Sequence, residues 1–168
     1  MEKSPIVTDS ETLQLLDVQI RHNFFPKRLV DELRNKVLVQ THRKERYALV
    51  GEKLLSPTDQ AAKLIASTFK ANELNVAILK RYVFGEPSEA FKVHRDPEEF
   101  KGSMFLCSLS GLASLRVFSS EMKIGTEILC PPNTVVVVPS NTPHEISEPY
   151  KDYGTCCFLF LGLSLIHI

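Results

Sequence analysis

The feature that most constrains the fold is a change of texture near Asn75. Before it, apolar residues recur at helical spacing. After it, short runs rich in β-branched and aromatic residues alternate with Gly, Pro and Asn. Eight runs stand out, at 76–84, 90–94, 104–109, 114–118, 125–130, 134–139, 144–147 and 155–161. Gly85-Glu86-Pro87, Ser110-Gly111, Pro131-Pro132-Asn133 and Pro139-Ser140-Asn141 break the chain between them. No helical stretch separates successive strands, which argues against a parallel βαβ sheet. The pattern predicts a mainly β domain, a sandwich or jelly roll, with supporting helices at its N-terminal side.

Two helices are expected in the first half. Phe24-Phe25-Pro26 leads into Leu29, Val30, Leu33 and Val37, a helical period with proline in the first turn. Ser56-Pro57-Thr58-Asp59 reads as a second start, with Ser56 as cap and Pro57 at the first position. Its buried stripe would be Ala61, Leu64, Ile65, Thr68 and Phe69.

A chain of 168 residues with 43% hydrophobic and 24% charged residues can bury one substantial core. Basic and acidic residues both number 20, so no global field draws it to nucleic acid or to an anionic membrane. The densest basic cluster, His42, Arg43, Lys44 and Arg46, reads as solvated surface. Acidic and polar residues open the chain, which does not read as a signal peptide, and the longest apolar runs are too short to span a bilayer. Cys107, Cys130, Cys156 and Cys157 lack metal-type spacing, and neighbours on a strand face opposite ways. Free thiols and a cytoplasmic location are expected. The final six residues, 163–168, match the translation of a transposon-end adapter used in sequencing libraries. They are therefore expected to be an artefact, leaving 1–162 as the domain and removing His167 as a ligand candidate.

His94-Arg95-Asp96 is an HxD motif. On a strand, residues two apart face the same way, so an imidazole and a carboxylate can reach one metal. Two histidines and one carboxylate, with adjacent positions open, form the facial triad of non-haem iron oxygenases. His144, at the start of the penultimate strand, is placed to complete it. An HxD alone arises by chance in roughly one of every four or five such chains, so context decides.

That context, from about 18 to 162, resembles the iron(II)/2-oxoglutarate-dependent dioxygenases, especially the branches with prolyl hydroxylases and AlkB-like enzymes. Asp17-Val18-Gln19-Ile20 followed by Asn23-Phe24-Phe25 and a helix is similar to the family's opening. Tyr82-Val83-Phe84-Gly85, then Phe91-Lys92-Val93-His94-Arg95-Asp96, resembles its tyrosine, glycine and HxD signature. The strand and turn at Phe105-Leu106-Cys107-Ser108-Leu109-Ser110-Gly111 and the approach through Pro131-Pro132-Asn133 to Pro143-His144 follow in the family's order. The resemblance implies a double-stranded β-helix (jelly roll) holding Fe(2+) through His94, Asp96 and His144. It further implies 2-oxoglutarate as cosubstrate, O2 as oxidant, and succinate and CO2 as products. Tyr82 matches a tyrosine that often hydrogen-bonds the cosubstrate, and reads equally as a core aromatic.

One element of the pattern is missing. The family usually anchors the distal carboxylate of 2-oxoglutarate with an arginine on the last strand, where a planar fork pairs with a carboxylate. Here that position is Cys156, and no Arg or Lys lies between Lys151 and Gly162. Arg116 on the fourth strand, Lys151 from the loop, or an original arginine codon at Cys156 changed by one base can each account for this; otherwise the cosubstrate differs or the protein is inactive. The resemblance implies a hydroxylase of a protein side chain or small amino-acid-like molecule. An AlkB-like nucleic-acid demethylase and a non-catalytic metal-binding jelly roll are the alternatives. A cupin-like centre generally needs more histidines, and His22 and His42 both lie in the helical half.

Overall fold

The structure, a computed structural model, describes residue 6 and residues 9–40, 46–50 and 54–165. The chain enters through α1 (Ser10–Leu15), where Asp9 Oδ1 accepts from the Thr12 amide at 2.7 Å and so caps the first turn. β1 (Gln19–His22) follows, then α2 (Lys27–Gln40), β2 (Arg46–Val50) and α3 (Thr58–Thr68). α2 starts directly after Pro26 and buries the expected stripe of Leu29, Val30, Leu33 and Val37.

α3 departs from its expectation in two ways. Pro57, not Ser56, precedes the helix, and Ser56 Oγ accepts from the Gln60 side chain instead of an orphan amide. Its buried stripe is Thr58, Ala61, Ala62 and Ile65, while Leu64 and Thr68 are exposed. Positions 58, 62 and 61, 65 are each four apart and stack on one face, and 64 and 68 lie beside it. The sequence cluster at His42, Arg43 and Lys44, and the Arg46 side chain, fall outside the described residues.

The second half is β3 (Val76–Val83), β4 (Phe100–Ser110), β5 (Ala113–Phe118), β6 (Gly125–Cys130), β7 (Thr134–Pro139), β8 (His144–Ile146) and β9 (Thr155–Ser164). A six-stranded sheet has the order β1-β7-β4-β9-β3-β2, and a three-stranded sheet the order β6-β5-β8; all named pairings are antiparallel. This is the predicted jelly roll with N-terminal helices. The strand expected at 90–94 does not form. Glu89–Phe91 is a 3-10 turn capped by Ser88 Oγ, and His94 makes only an isolated bridge. β1 and β2 escaped the pattern, being short edge strands beside helices.

Alternation along the central strands builds two cores. On β9, Cys157, Leu159 and Leu161 face the helices, while Cys156, Phe158 and Phe160 face the small sheet. On β7, Val135 and Val137 do the first and Val136 and Val138 the second. With both faces covered, these strands read as continuous apolar runs although the sheet is antiparallel. At the β4–β5 turn Gly111 has φ +76°, and a Cβ there would collide with the Thr155 carbonyl, so the turn requires glycine. Asn133 clips the helical half to the sheet: its side chain accepts from the Phe25 amide and donates to the Phe25 carbonyl, both at 2.9 Å.

β9 also runs two residues past Gly162. The Ser164 amide donates to Asn75 Oδ1 and Asn75 Nδ2 donates to the Ser164 carbonyl, each at 2.8 Å. Leu163 and Ser164 continue the strand, paired with Lys101 and Phe100 of β4. His167 lies outside the described residues.

Candidate metal centre

The centre is assembled by one two-residue bridge. The His94 amide donates to the His144 carbonyl and the His144 amide to the His94 carbonyl, both at 3.0 Å. His144 opens β8, which is held by β5 through Val117. His94 lies in the irregular segment after the 3-10 turn, so the bridge, not a strand, aims its ring. The two imidazole centroids are 4.4 Å apart.

Each ring is oriented by its own backbone. His94 Nδ1 lies 2.8 Å from the Lys92 carbonyl, and His144 Nδ1 lies 2.8 Å from the Thr142 carbonyl. A carbonyl can only accept, so each Nδ1 carries the proton and each Nε2 keeps its lone pair. Asp96 Oδ2 sits 3.4 Å from His144 Nε2. That oxygen is buried and has no hydrogen-bond partner among the described residues. One ligand atom from each of His94, Asp96 and His144 falls within 4.8 Å of the others.

These residues fit a divalent metal. A buried carboxylate oxygen without a donor is costly unless a cation meets it. Ligands at right angles on a metal at about 2.1 Å lie about 3 Å apart, close to the 3.4 Å between Asp96 Oδ2 and His144 Nε2. Nδ1–H bonds to carbonyls are the outer contacts that fix ligating histidines in metal sites. Burial pushes the His144 imidazole below its ordinary pKa; Asp96 and the Thr142 carbonyl pull the other way, while His94 and Lys80 add to the lowering. A neutral imidazole is what a metal requires.

The centre opens onto a cavity of about 490 Å³ between the large sheet and the 88–97 segment, walled by Ile78, Lys80, Tyr82 and Phe160 beside His94 and Asp96. His144 borders a second, small cavity that shares Phe160 in its wall and reaches Leu115. Tyr82 is buried in the wall, its ring 5.5 Å from Phe91 and 5.9 Å from Phe158.

The other expected cosubstrate contacts are elsewhere. Arg116 is not in the cavity wall; its guanidinium lies 3.3 Å from Glu127 and 3.2 Å from Glu145 on the strands flanking β5. Its neighbours Leu115 and Val117 point into the inner core, so alternation turns Arg116 outward. Lys151 is exposed in the β8–β9 loop. Cys156 is fully buried in the inner core, paired in register with Tyr82, and does not line the cavity. Burial raises its thiol to about 11.

Two residues not singled out from the sequence are brought to the site. Lys80 shares the inward row of β3 with Tyr82, and the alternation of Val76, Ile78 and Tyr82 could have revealed it. Arg95, the middle residue of the HxD, donates to the Asn141 carbonyl at 2.6 Å and the Ser120 carbonyl at 3.0 Å. No sequence pattern marks those partners.

Neither protein-family profiles nor curated proteins gave a match to the chain. Solved structures did. A prolyl-4-hydroxylase from Pseudomonas putida superposes with a TM-score of 0.63 at 13% identity, covering 92% of this chain and 96% of its own. A Trichoplax adhaerens prolyl hydroxylase, in complex with a hypoxia inducible factor oxygen degradation domain peptide fragment, gives 0.61 at 13%, covering 92% and 86%. NgTET1 in complex with 5mC DNA gives 0.66 at 14%, covering 89% and 73%. The shared property at this identity is the fold.

Proposed function

We propose that the chain is an Fe(II)- and 2-oxoglutarate-dependent oxygenase that hydroxylates a protein side chain or an amino-acid-like substrate. The observation that carries this reading is the convergence of two Nε2 lone pairs and the partnerless Asp96 oxygen at the floor of an open cavity. The likeness to prolyl hydroxylase structures supports it.

His94, Asp96 and His144 would hold the metal, a donor set that leaves coordination positions open for other ligands. When bound, iron supplies the coupling of O2 reduction to oxidative decarboxylation of 2-oxoglutarate, with one oxygen atom going to succinate and one into a substrate C–H bond. The chain's own part is geometric and electrostatic. The Lys92 and Thr142 carbonyls hold both rings in the ligating tautomer. Ile78, Tyr82 and Phe160 present an apolar wall that limits water around the reacting groups.

Anaerobic titration tests the reading. Fe(II) with 2-oxoglutarate should produce a weak visible charge-transfer band, and admission of air should produce succinate. Iron binding with neither band nor succinate would reduce the protein to a metal-binding jelly roll. An unchanged iron affinity in His94→Ala would remove the metal assignment itself. The NgTET1 likeness keeps a nucleic-acid substrate as the second reading, against the balanced net charge; peptide and methylated-DNA substrates assayed side by side separate the two. No helix among the described residues is long and apolar enough to cross a membrane. Four free buried cysteines suit a reducing cytoplasm. We further propose that 163–168 derive from an adapter; reading the native gene through that junction, and at codon 156, tests this.

A further inference from the structure

The charged side chains in the cavity wall are already engaged. Lys92 Nζ lies 3.5 Å from Glu89 Oε1, and Arg95 spends its guanidinium on the Asn141 and Ser120 carbonyls. The Lys80 ammonium lies 4.1 Å from the centroid of the Phe160 ring, and Asp96 faces His144 in the metal centre. A charged substrate group would give up its hydration here without meeting an uncommitted partner. An aliphatic group gains free energy by the same burial.

One stretch of the wall suits such a group. β3 and β9 pair Val76 with Gly162 and Ile78 with Phe160, so the inward row of β9 loses its side chain one step beyond Phe160. The φ of Gly162 is not in the left-handed region, so its conformation does not call for glycine. Space does: a Cβ at 162 would lie 3.2 Å from the Phe100 ring, which leans over the bare backbone from β4. The result is a notch floored by Gly162 and sided by Val76, Phe100, Met104 and Phe160, in the wall that also carries His94 and Asp96. Met104 is only partly buried, and it borders the small cavity of about 20 Å³ beside His144. Its unbranched thioether therefore has room to yield to an entering group.

We propose that this notch is the subsite for the substrate, that it takes an aliphatic side chain, and that Gly162 and Phe100 set its size. The assignment rests on the oxygenase reading above, which makes the occupant of this cavity a substrate.

The test uses chain loaded with Zn(II), which imidazole and carboxylate ligands hold and which has no redox chemistry. The chain has three methionines, so labelled methionine methyl groups give a simple NMR spectrum, and Met104→Leu identifies the Met104 signal. The probes are N-acetyl-leucinamide and N-acetyl-asparaginamide, whose side chains have nearly the same shape and opposite polarity. The leucine probe should shift the Met104 signal saturably, at a concentration about 10-fold or more below that needed by the asparagine probe, as burial of one aliphatic side chain implies. Gly162→Val, which fills the notch, should abolish that shift and leave Zn(II) affinity unchanged. Phe100→Leu, which widens the notch, should move the preference several-fold toward N-acetyl-phenylalaninamide, and it keeps the proposal testable if Gly162→Val does not fold. Equal response to the leucine and asparagine probes overturns the aliphatic assignment. A leucine-induced shift that survives Gly162→Val, or a preference unmoved by Phe100→Leu, overturns the notch. The oxygenase reading fails separately, in the Fe(II) titration, where no probe is present.

Discussion

The large sheet has two faces built from alternate residues of the same strands, and they do opposite jobs. Toward the helices, Leu33, Val37 and Ile65 close over Leu79, Phe105, Val135 and Leu159, with no buried charge among the described residues. Toward the small sheet, the same strands supply Ile78, Phe158 and Phe160, but this core is left open at one end. There the wall changes to Lys80, Tyr82, His94 and Asp96. A three-stranded sheet cannot cover a six-stranded one, and the uncovered margin is where polar groups are tolerable. Closure on one face supplies the stability that lets the other face keep an incompletely satisfied site.

The sharpest way to break this division is to remove one residue from each side. His144→Ala should abolish stoichiometric Fe(II) binding, a larger loss than the 10- to 100-fold typical of removing an outer partner. The melting temperature of the metal-free chain should stay level or rise, since a buried imidazole beside a partnerless carboxylate is no asset without metal. A large fall would show that the centre is also structural. Leu159→Ala, fifteen residues on but facing the helices, should cost about 2–5 kcal/mol in urea unfolding. Iron affinity of the folded fraction should be retained. Lost affinity at full folding would mean the two faces are coupled.

Much of this division could be read from the sequence, because period-two alternation and breakers are local signals. The eight runs placed seven strands, and the HxD with a distal histidine named the three residues that converge. The miss at 90–94 is instructive. Phe91, Val93 and the residues around them have strand composition, yet Ser88 and Glu89 nucleate a 3-10 turn, and the only ladder contact is the bridge to His144. Long-range pairing, absent from any window of sequence, decides that segment.

The cysteines sharpen where the inner face opens. Cys107 and Cys157 lie in the core beneath the helices, Cys130 and Cys156 in the core between the two sheets, yet burial raises all four thiols. Cys130 is pushed up to about 12 and Cys156 to about 11. The inner core is therefore dry away from the cavity. Folded protein should leave all four thiols unreactive to a disulfide reagent at pH 8, and unfolding should release them. For the sign, the folded state keeps protons that the unfolded chain loses above about 9. Their contribution to stability is complete below that pH and falls as pH rises toward 11 to 12. The urea midpoint should drop over that window, less steeply in Cys130→Ala. A thiol that reacts in the folded state would place water deeper between the sheets.

Arg95 tests how far the site depends on its rim. Its two carbonyl contacts tie the HxD segment to the loops carrying Ser120 and Asn141, the latter just ahead of His144. Arg95→Ala should weaken Fe(II) by about 10-fold, the low end for an outer partner, with little change in melting temperature. An unaltered affinity would show that the His94–His144 bridge alone sets the geometry.

Arg116→Ala should have the smallest effect, and that smallness is informative. Its partners, Glu127 and Glu145, flank it on the outer face of the small sheet, and its side chain is about one-third exposed. Partly exposed pairs of this kind contribute up to about 1 kcal/mol. Removing the arginine also leaves two carboxylates on adjacent strands, so the stability loss should be small and should grow at low salt, where their repulsion is less screened. Affinity for 2-oxoglutarate should not change, because the residue on either side of Arg116 faces inward and alternation holds its charge away from the cavity. A measurable loss of diacid binding in Arg116→Ala would overturn that placement. The charge would then reach the site from the small sheet, and the large sheet's inner face would supply only an apolar wall.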